Sequence, residues 1–104
     1  MSHKIDIDDY RDDRSIVLSG RPKGEWVRSE ECLGNIDEGS ENIIVIIPED
    51  LKLVTTSFLL GLLGDSIRKL GKENFLNKFN FEGKDISEKL EMCIQEALKK
   101  YSPF

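Results

Sequence analysis

Apolar residues are densest between positions 43 and 70, where their spacing changes from that of a strand to that of a helix. Residues 43–47 form an unbroken, β-branched run, which is typical of a short strand buried on both faces. Residues 48–50, Pro-Glu-Asp, interrupt this pattern and predict a loop. From Phe58 the apolar side chains recur at helical spacing, directly after the hydroxyl residues 55–57, which favour a helix N-terminus. The pattern therefore predicts a strand, a loop and a buried helix at the centre of the chain.

Two weaker strand patterns precede this centre. Residues 4–8 alternate between polar and apolar side chains, as in a half-exposed strand, and residues 15–19 contain a second short apolar run. Because the connection between them is short, the two strands are predicted to pair as an N-terminal hairpin. Residues 20–24 contain two glycines and a proline and predict a loop, after which residues 25–33 favour a short helix.

Three further elements are predicted after the central helix. Residues 72–76 favour an extra helical turn, and residues 78–81 alternate as a strand with its two phenylalanines on one face. Asp85 and Glu88 have the spacing of a capping box at the start of a last helix. The apolar residues of that helix form one stripe, which consists of Ile86, Leu90, Cys93, Ile94, Ala97, Leu98 and Tyr101.

Together these elements predict one α/β domain over residues 1–104, because a chain of this length suffices for a single core. The predicted order is β-β-α-β-α-β-α. Strands that alternate with helices imply parallel β-α-β units with right-handed crossovers, whereas the hairpin adds an antiparallel pair. We therefore expect a small mixed four-stranded sheet, including the N-terminal hairpin, packed against about three helices.

Composition narrows the class of protein. Apolar residues make up 38% and charged residues 34% of the chain, as in a globular domain with a well-charged surface. The sequence contains no apolar run long enough to cross a membrane and no signal-peptide pattern, so a cytoplasmic location without a membrane partner is expected. In that reducing compartment Cys32 and Cys93 are expected to be free thiols. A net charge of −5 argues against a nucleic-acid partner.

The residue types that carry out catalysis are sparse in this chain. His3 is the only histidine, and a Ser-His-Asp triad would have to use this residue, which we expect on the surface near the N-terminus. One histidine and two distant cysteines lack the spacing of a zinc site, and phosphate-binding loop patterns are absent. We therefore predict that the chain is not an enzyme and that it uses neither a metal nor a cofactor.

The hydroxyl residues Thr55, Thr56 and Ser57 form the candidate site. The structural interpretation is that one hydroxyl caps the unpaired backbone N–H groups at the start of the helix. The functional interpretation is that a hydroxyl accepts a phosphate, whose charge of about −1.5 to −2 is favourable at the positive end of the helix dipole. The two interpretations are compatible, because one hydroxyl can cap the helix while another is modified.

Residues 54–64, VTTSFLLGLLG, follow a buried strand and resemble the STAS domain of anti-sigma factor antagonists. They are more similar to a bacterial STAS-like domain of unknown function, whose members carry a Ser-Phe-Leu step and then a glycine. Residues 57–59 match that step, with Gly61 or Gly64 as the glycine. Residues 24–28 match the Gly-Glu-x-x-Arg stretch that opens the first helix of that family.

The resemblance covers about residues 15–101 and implies a STAS-like fold with a regulatory role. In STAS antagonists the first of two adjacent serines is phosphorylated by a kinase of the histidine-kinase-like ATPase type. The two serines align with Thr56 and Ser57, the aspartate before them with Thr55, and the glycine after them with Phe58. The resemblance thus implies a protein partner, either a histidine-kinase-like ATPase or an anti-sigma-type regulator.

We therefore expect a non-enzymatic interaction module that docks a partner through the loop before the central helix and the N-terminus of that helix. Phosphorylation is expected at Thr56 or Ser57. The expected partner-binding residues are Thr55, Thr56, Ser57, Phe58, Asp50 and Lys52. The alternative is an accessory or antitoxin-like binding protein that acts by complex formation without phosphorylation. An exposed edge strand in the predicted hairpin would also permit a homodimer.

Overall fold

The structure is a computed structural model that describes residues 2–11, 15–36 and 42–99. The chain forms an α/β fold, and the strands within these ranges all pair in parallel. The strands are β1 (Ser2–Asp6), β2 (Val17–Leu18), β3 (Asn42–Ile47), β4 (Leu53–Val54) and β5 (Phe79–Gly83). The helices are α1 (Arg21–Glu30), α2 (Leu33–Ile36), α3 (Thr56–Leu70), α4 (Lys72–Lys78) and α5 (Ser87–Leu98).

The larger sheet has three strands in the order β1-β3-β5. The unbroken apolar run of β3 places this strand in the centre, where both of its edges are paired. Its residues Ile43, Val45 and Ile47 are fully buried, whereas Ile44 and Ile46 on the opposite face are half-buried. The strand predicted over residues 43–47 is thus observed, with one face in the core and the other partly covered.

The predicted N-terminal hairpin is wrong, because β1 and β2 lie in different sheets. The chain turns after Asp6, whose side chain accepts a hydrogen bond from the backbone N–H of Asp8 at 3.0 Å and begins a short 3₁₀ turn, Ile7–Tyr10. Strand β2 then pairs with β4 in a second, two-stranded sheet. The predicted mixed four-stranded sheet is therefore replaced, among the described strands, by parallel sheets of three and two strands.

Helix α1 begins at Arg21, inside the segment that the sequence predicted to be a loop. Pro22 is tolerated there because the first turn of a helix needs no backbone N–H from this residue. The helix ends at Glu30, and Cys32 follows with a backbone φ of 54°. Its end thus comes earlier than the predicted Leu33, which starts the short helix α2.

The parallel helices α1 and α3 approach each other so closely that their backbones are in contact. A Cβ atom on Gly24 would lie 2.1 Å from the carbonyl oxygen of Phe58, and one on Gly61 would lie 2.2 Å from that of Arg21. Only glycine fits at either position, because the opposing atoms belong to the backbone and cannot rotate away. Arg28 extends the contact by donating hydrogen bonds to Ser66 Oγ at 2.7 Å and to the carbonyl oxygen of Leu62 at 3.1 Å.

The core lies around α3, against which α1 and α5 pack. On α5, three residues of the predicted stripe are buried, namely Cys93, Ile94 and Ala97. Burial raises the pKa of the Cys93 thiol to about 12, which is the behaviour of a small core residue. No helix in the described ranges is both long enough and apolar enough to cross a lipid bilayer.

Candidate functional site

The N-terminus of α3 is fixed by Thr55, which lies directly after β4. Its backbone N–H donates to the carbonyl oxygen of Leu18 at 2.9 Å, which continues the pairing of β2 with β4. Its side-chain oxygen Oγ1 accepts a hydrogen bond from the backbone N–H of Phe58 at 3.2 Å and a second from that of Gly20 at 3.4 Å. Thr55 is therefore the cap of α3, as the structural interpretation predicts for one hydroxyl, and it also contacts the residue that precedes α1.

The two remaining hydroxyls lie in the first turn of α3. Thr56 is the first residue of the helix and is half-buried, whereas Ser57 is exposed. Because Thr55 already serves as the cap, neither of these hydroxyls is required to begin the helix. The arrangement leaves Ser57 open to solvent, and to a modifying enzyme, at the positive end of a helix of 15 residues.

Phe58, which the sequence predicts to be a partner-binding residue, lies in the core. Its side chain is fully buried, and its backbone carbonyl faces Gly24 of α1. Consecutive side chains of an α-helix point about 100° apart, so Phe58 faces the core although it directly follows the exposed Ser57. The large side chain at this position therefore stabilises the packing of α3 in the core.

Asp50 lies on the exposed loop between β3 and β4, but its carboxylate is engaged with an arginine. Arg11 donates to both carboxylate oxygens, at 3.0 and 2.8 Å, and its Nε lies 2.9 Å from the carboxylate of Asp8. The hydrogen bond from Arg11 lowers the pKa of Asp50 below its ordinary value. This ion pair connects the loop to Arg11, which follows the 3₁₀ turn. The Asp50 carboxylate is therefore already paired within the chain.

Lys52 is exposed at the start of a cleft of about 310 Å³. The cleft lies between β4 and the segment that leads from β5 into α5. A hydrogen bond of 2.9 Å from the backbone N–H of Lys84 to the carbonyl oxygen of Ile47 connects this segment to the end of β3. Its lining residues are Lys52, Leu53, Val54, Lys84, Asp85, Ile86, Ser87, Glu88 and Lys89. Lys52 is thus a predicted binding residue that lines a cleft.

Sequence reasoning missed a group of polar side chains around Glu31. The Nε2 atom of His3 lies 2.9 Å from Oε1 of Glu31, and the Tyr10 hydroxyl donates to Oε2 of the same carboxylate. Burial and this hydrogen bond to Glu31 raise the pKa of Tyr10. Glu31 lies 28 positions from His3 and 21 from Tyr10 along the chain, so no local sequence pattern predicts these contacts. The group joins β1, the 3₁₀ turn and the end of α1.

The described residues offer no group of three or more histidine, cysteine, aspartate or glutamate side chains that could hold a metal ion. The two cysteines are free thiols, with Cys32 exposed and Cys93 buried. An exposed lone thiol and a buried neutral one do not form a ligand set.

Searches against protein-family models, curated proteins and solved structures found no match to this chain.

Proposed function

We propose that this chain is a regulatory, non-enzymatic interaction module, related to STAS-like domains, that docks a partner protein at the start of α3. The observation that carries the proposal is the division of roles among three adjacent hydroxyls. Thr55 caps the helix, whereas the side chain of Ser57, two residues later, is exposed. A site of this kind permits a change of surface charge without a change of fold.

The proposed switch is phosphorylation of Ser57 or Thr56. A phosphate near the positive end of the α3 dipole is electrostatically favourable, so it leaves the helix intact while adding charge of about −1.5 to −2. Ser57 is the better acceptor of the two because it is exposed, whereas Thr56 is half-buried. Asp50 and Lys52 on the preceding loop complete the proposed surface.

The proposed partner is a histidine-kinase-like ATPase or an anti-sigma-type regulator in the cytoplasm. This part of the proposal depends on the resemblance of residues 54–64 and 24–28 to STAS-like sequences. In the structure these two segments pack against each other through the contacts of Gly24 with Phe58 and of Gly61 with Arg21.

The test begins with affinity capture of the tagged chain from its native cells and mass spectrometry of the peptide that contains residues 55–57. The captured partner is then titrated with wild-type chain and with Ser57→Ala, Ser57→Glu and the control Ser29→Glu, an exposed position on α1. We expect Ser57→Glu to change the affinity by about tenfold or more, and Ser29→Glu to leave it unchanged. A partner that binds all four proteins equally, with no phosphate on residues 55–57, would rule out the switch.

A second candidate function is complex formation without phosphorylation, as in accessory or antitoxin-like binding proteins. It is favoured by the large apolar side chains exposed beside the site, those of Ile16, Val17 and Leu53. The same titration separates the two functions, because a constitutive complex would be insensitive to charge at Ser57 and sensitive to substitution of the apolar side chains.

A further inference from the structure

The two-stranded sheet has one face in the core and one in solvent, and both faces are apolar. Leu18 and Val54 are register partners on the inner face and are almost fully buried. Val17 and Leu53 are register partners on the outer face, where 40% and 39% of their surface is exposed. Ile16, which precedes β2, is 45% exposed. Clustered apolar side chains of this size in solvent are a common mark of a binding surface.

Lysines surround this apolar surface on the side of the cleft. Leu53 lines the cleft together with Lys52, Lys84 and Lys89. We refer to Val17, Leu53 and these three lysines as the lysine–apolar face. A concentration of lysines is distinctive in a chain whose net charge is −5.

The two carboxylates in the same cleft compensate these lysines only in part. Asp85 accepts a hydrogen bond from the backbone N–H of Ser87 at 2.9 Å, and this bond lowers its pKa. A lowered pKa means that Asp85 keeps its negative charge, next to the start of α5, whose helix dipole is positive at that end. Asp85 and Glu88 together balance two of the three lysines, so one positive charge remains in the cleft to favour an incoming carboxylate.

We propose that the lysine–apolar face binds a segment of a partner protein in which apolar side chains are flanked by aspartate or glutamate. The inference rests on the proposed function, because it names the chemistry of the partner that docks beside α3. The apolar side chains would cover Val17 and Leu53, and the carboxylates would pair with the lysines of the cleft. The cleft volume of about 310 Å³ lies at the lower end of ligand sites, which suits a few side chains of a segment.

Charge favours an acidic segment over a second copy of the chain as the occupant. A symmetric dimer places the same surface of both copies against each other. Such a dimer gathers the three lysines of each copy, Lys52, Lys84 and Lys89, in one interface, and the repulsion between like charges opposes it. An acidic segment meets no such repulsion.

The experiment selects random peptides displayed on phage against the immobilised full chain and measures the affinities of the selected peptides by fluorescence polarisation. We expect the selected sequences to combine apolar residues with aspartate or glutamate. Leu53→Glu and the triple substitution Lys52→Glu, Lys84→Glu, Lys89→Glu should each weaken binding about tenfold or more. Binding should also weaken as salt is raised, since exposed ion pairs are screened.

Matched controls are available elsewhere on the chain. Leu76 on α4 is 41% exposed, so Leu76→Glu makes the same change at equal exposure outside the cleft. Lys4→Glu on β1 reverses the charge of an exposed lysine that also lies outside the cleft. Both should retain wild-type affinity. Leu53→Ser provides a milder variant, and urea denaturation verifies that each protein is folded.

Several outcomes would overturn the inference: no enriched peptide, basic consensus sequences, equal loss in the control variants, or a dimer that Leu53→Glu dissociates in light scattering. The proposed switch is judged separately with Ser57→Glu. Peptides that are lost only on Ser57→Glu would refute the lysine–apolar face and support the docking site at α3. Peptides that are lost only on the cleft variants would support the face and remove Ser57 from the docking surface.

Discussion

At the scale of single residues, the contact between α1 and α3 makes a sharp prediction for Gly61. Its replacement by alanine would place Cβ 2.2 Å from the carbonyl oxygen of Arg21 and 2.9 Å from the backbone nitrogen of Glu25. Relief requires the two helices to move apart, so we expect Gly61→Ala to lower the free energy of unfolding by about 2 kcal/mol, within the usual range for overpacking. Urea denaturation followed by circular dichroism measures the change.

The control for this prediction is Gly64→Ala in the same helix. The atoms nearest to a Cβ at Gly64 belong to the guanidinium group of Arg68, at 3.4 Å or more, and that flexible side chain can move. Alanine favours a helix over glycine by up to about 1 kcal/mol, so Gly64→Ala should leave the free energy of unfolding unchanged or raise it. Equal destabilisation by both substitutions would contradict the role of the helix contact.

Thr55 carries the second prediction at this scale. Thr55→Ala removes the acceptor for the backbone N–H groups of Phe58 and Gly20, so the free energy of unfolding should fall by about 1 kcal/mol. Thr55→Ser keeps the acceptor and should retain most of that stability. An alanine variant as stable as the wild type in thermal and urea denaturation would show that Thr55 does not act as a cap.

At the scale of elements, the Glu31 group predicts coupling between the 3₁₀ turn and α1. Tyr10→Phe removes the hydroxyl that donates to Glu31, and bonds to charged groups contribute about 1.5–3 kcal/mol. Glu31→Gln removes the charge that accepts this bond. In a double-mutant cycle the combined loss of unfolding free energy should be smaller than the sum of the single losses. Strict additivity would mean that the two side chains do not interact.

At the scale of the whole molecule, the two thiols should report on opening of the fold. Cys32 is exposed and Cys93 is buried between helices of the core. We expect a thiol reagent to label Cys32 in the native protein, whereas the labelling rate of Cys93 should follow unfolding and rise with urea. Rapid labelling of Cys93 in the native protein would show that α5 detaches from α3 independently.

The Cys93 thiol also predicts how stability depends on pH. Its pKa is about 12 in the folded chain against 9.0 for an unperturbed thiol, so the unfolded state loses its proton first as the pH rises. The contribution of Cys93 to stability is complete below pH 9 and decreases as the pH rises towards 12. The difference in urea midpoint between wild type and Cys93→Ala should therefore narrow over this range. A constant difference would contradict the assignment.

The strand β3 and the helix α3 could be predicted from sequence because both are long, apolar and buried, and burial imposes a regular spacing. Strand β4 could not, because two residues are too few to show a period. The pairing of β1 with β3 could not either. A short connection favours a hairpin in most proteins but does not require one. The alternating pattern of a half-exposed strand does not determine which other strand it pairs with.

The candidate site was predictable to a similar extent. The helix cap could be assigned to residues 55–57 because hydroxyls at a helix start have a local role. The contact of His3 with Glu31 could not be predicted, because it joins residues 28 positions apart. The lysine–apolar face is likewise assembled from distant segments, because Lys52 directly precedes β4, whereas Lys84 follows β5 and Lys89 lies in α5.

The shared start of α1 and α3 has a mechanical consequence. Thr55 joins the two helices at one end, the two glycine contacts prevent them from sliding, and Arg28 ties them together again through Ser66. Because contacts of these three kinds connect α1 and α3 along their length, we expect the two helices to move as one rigid unit. A partner that displaces the loop before α3 would therefore also shift the C-terminal ends of both helices, near Glu30 and Leu70.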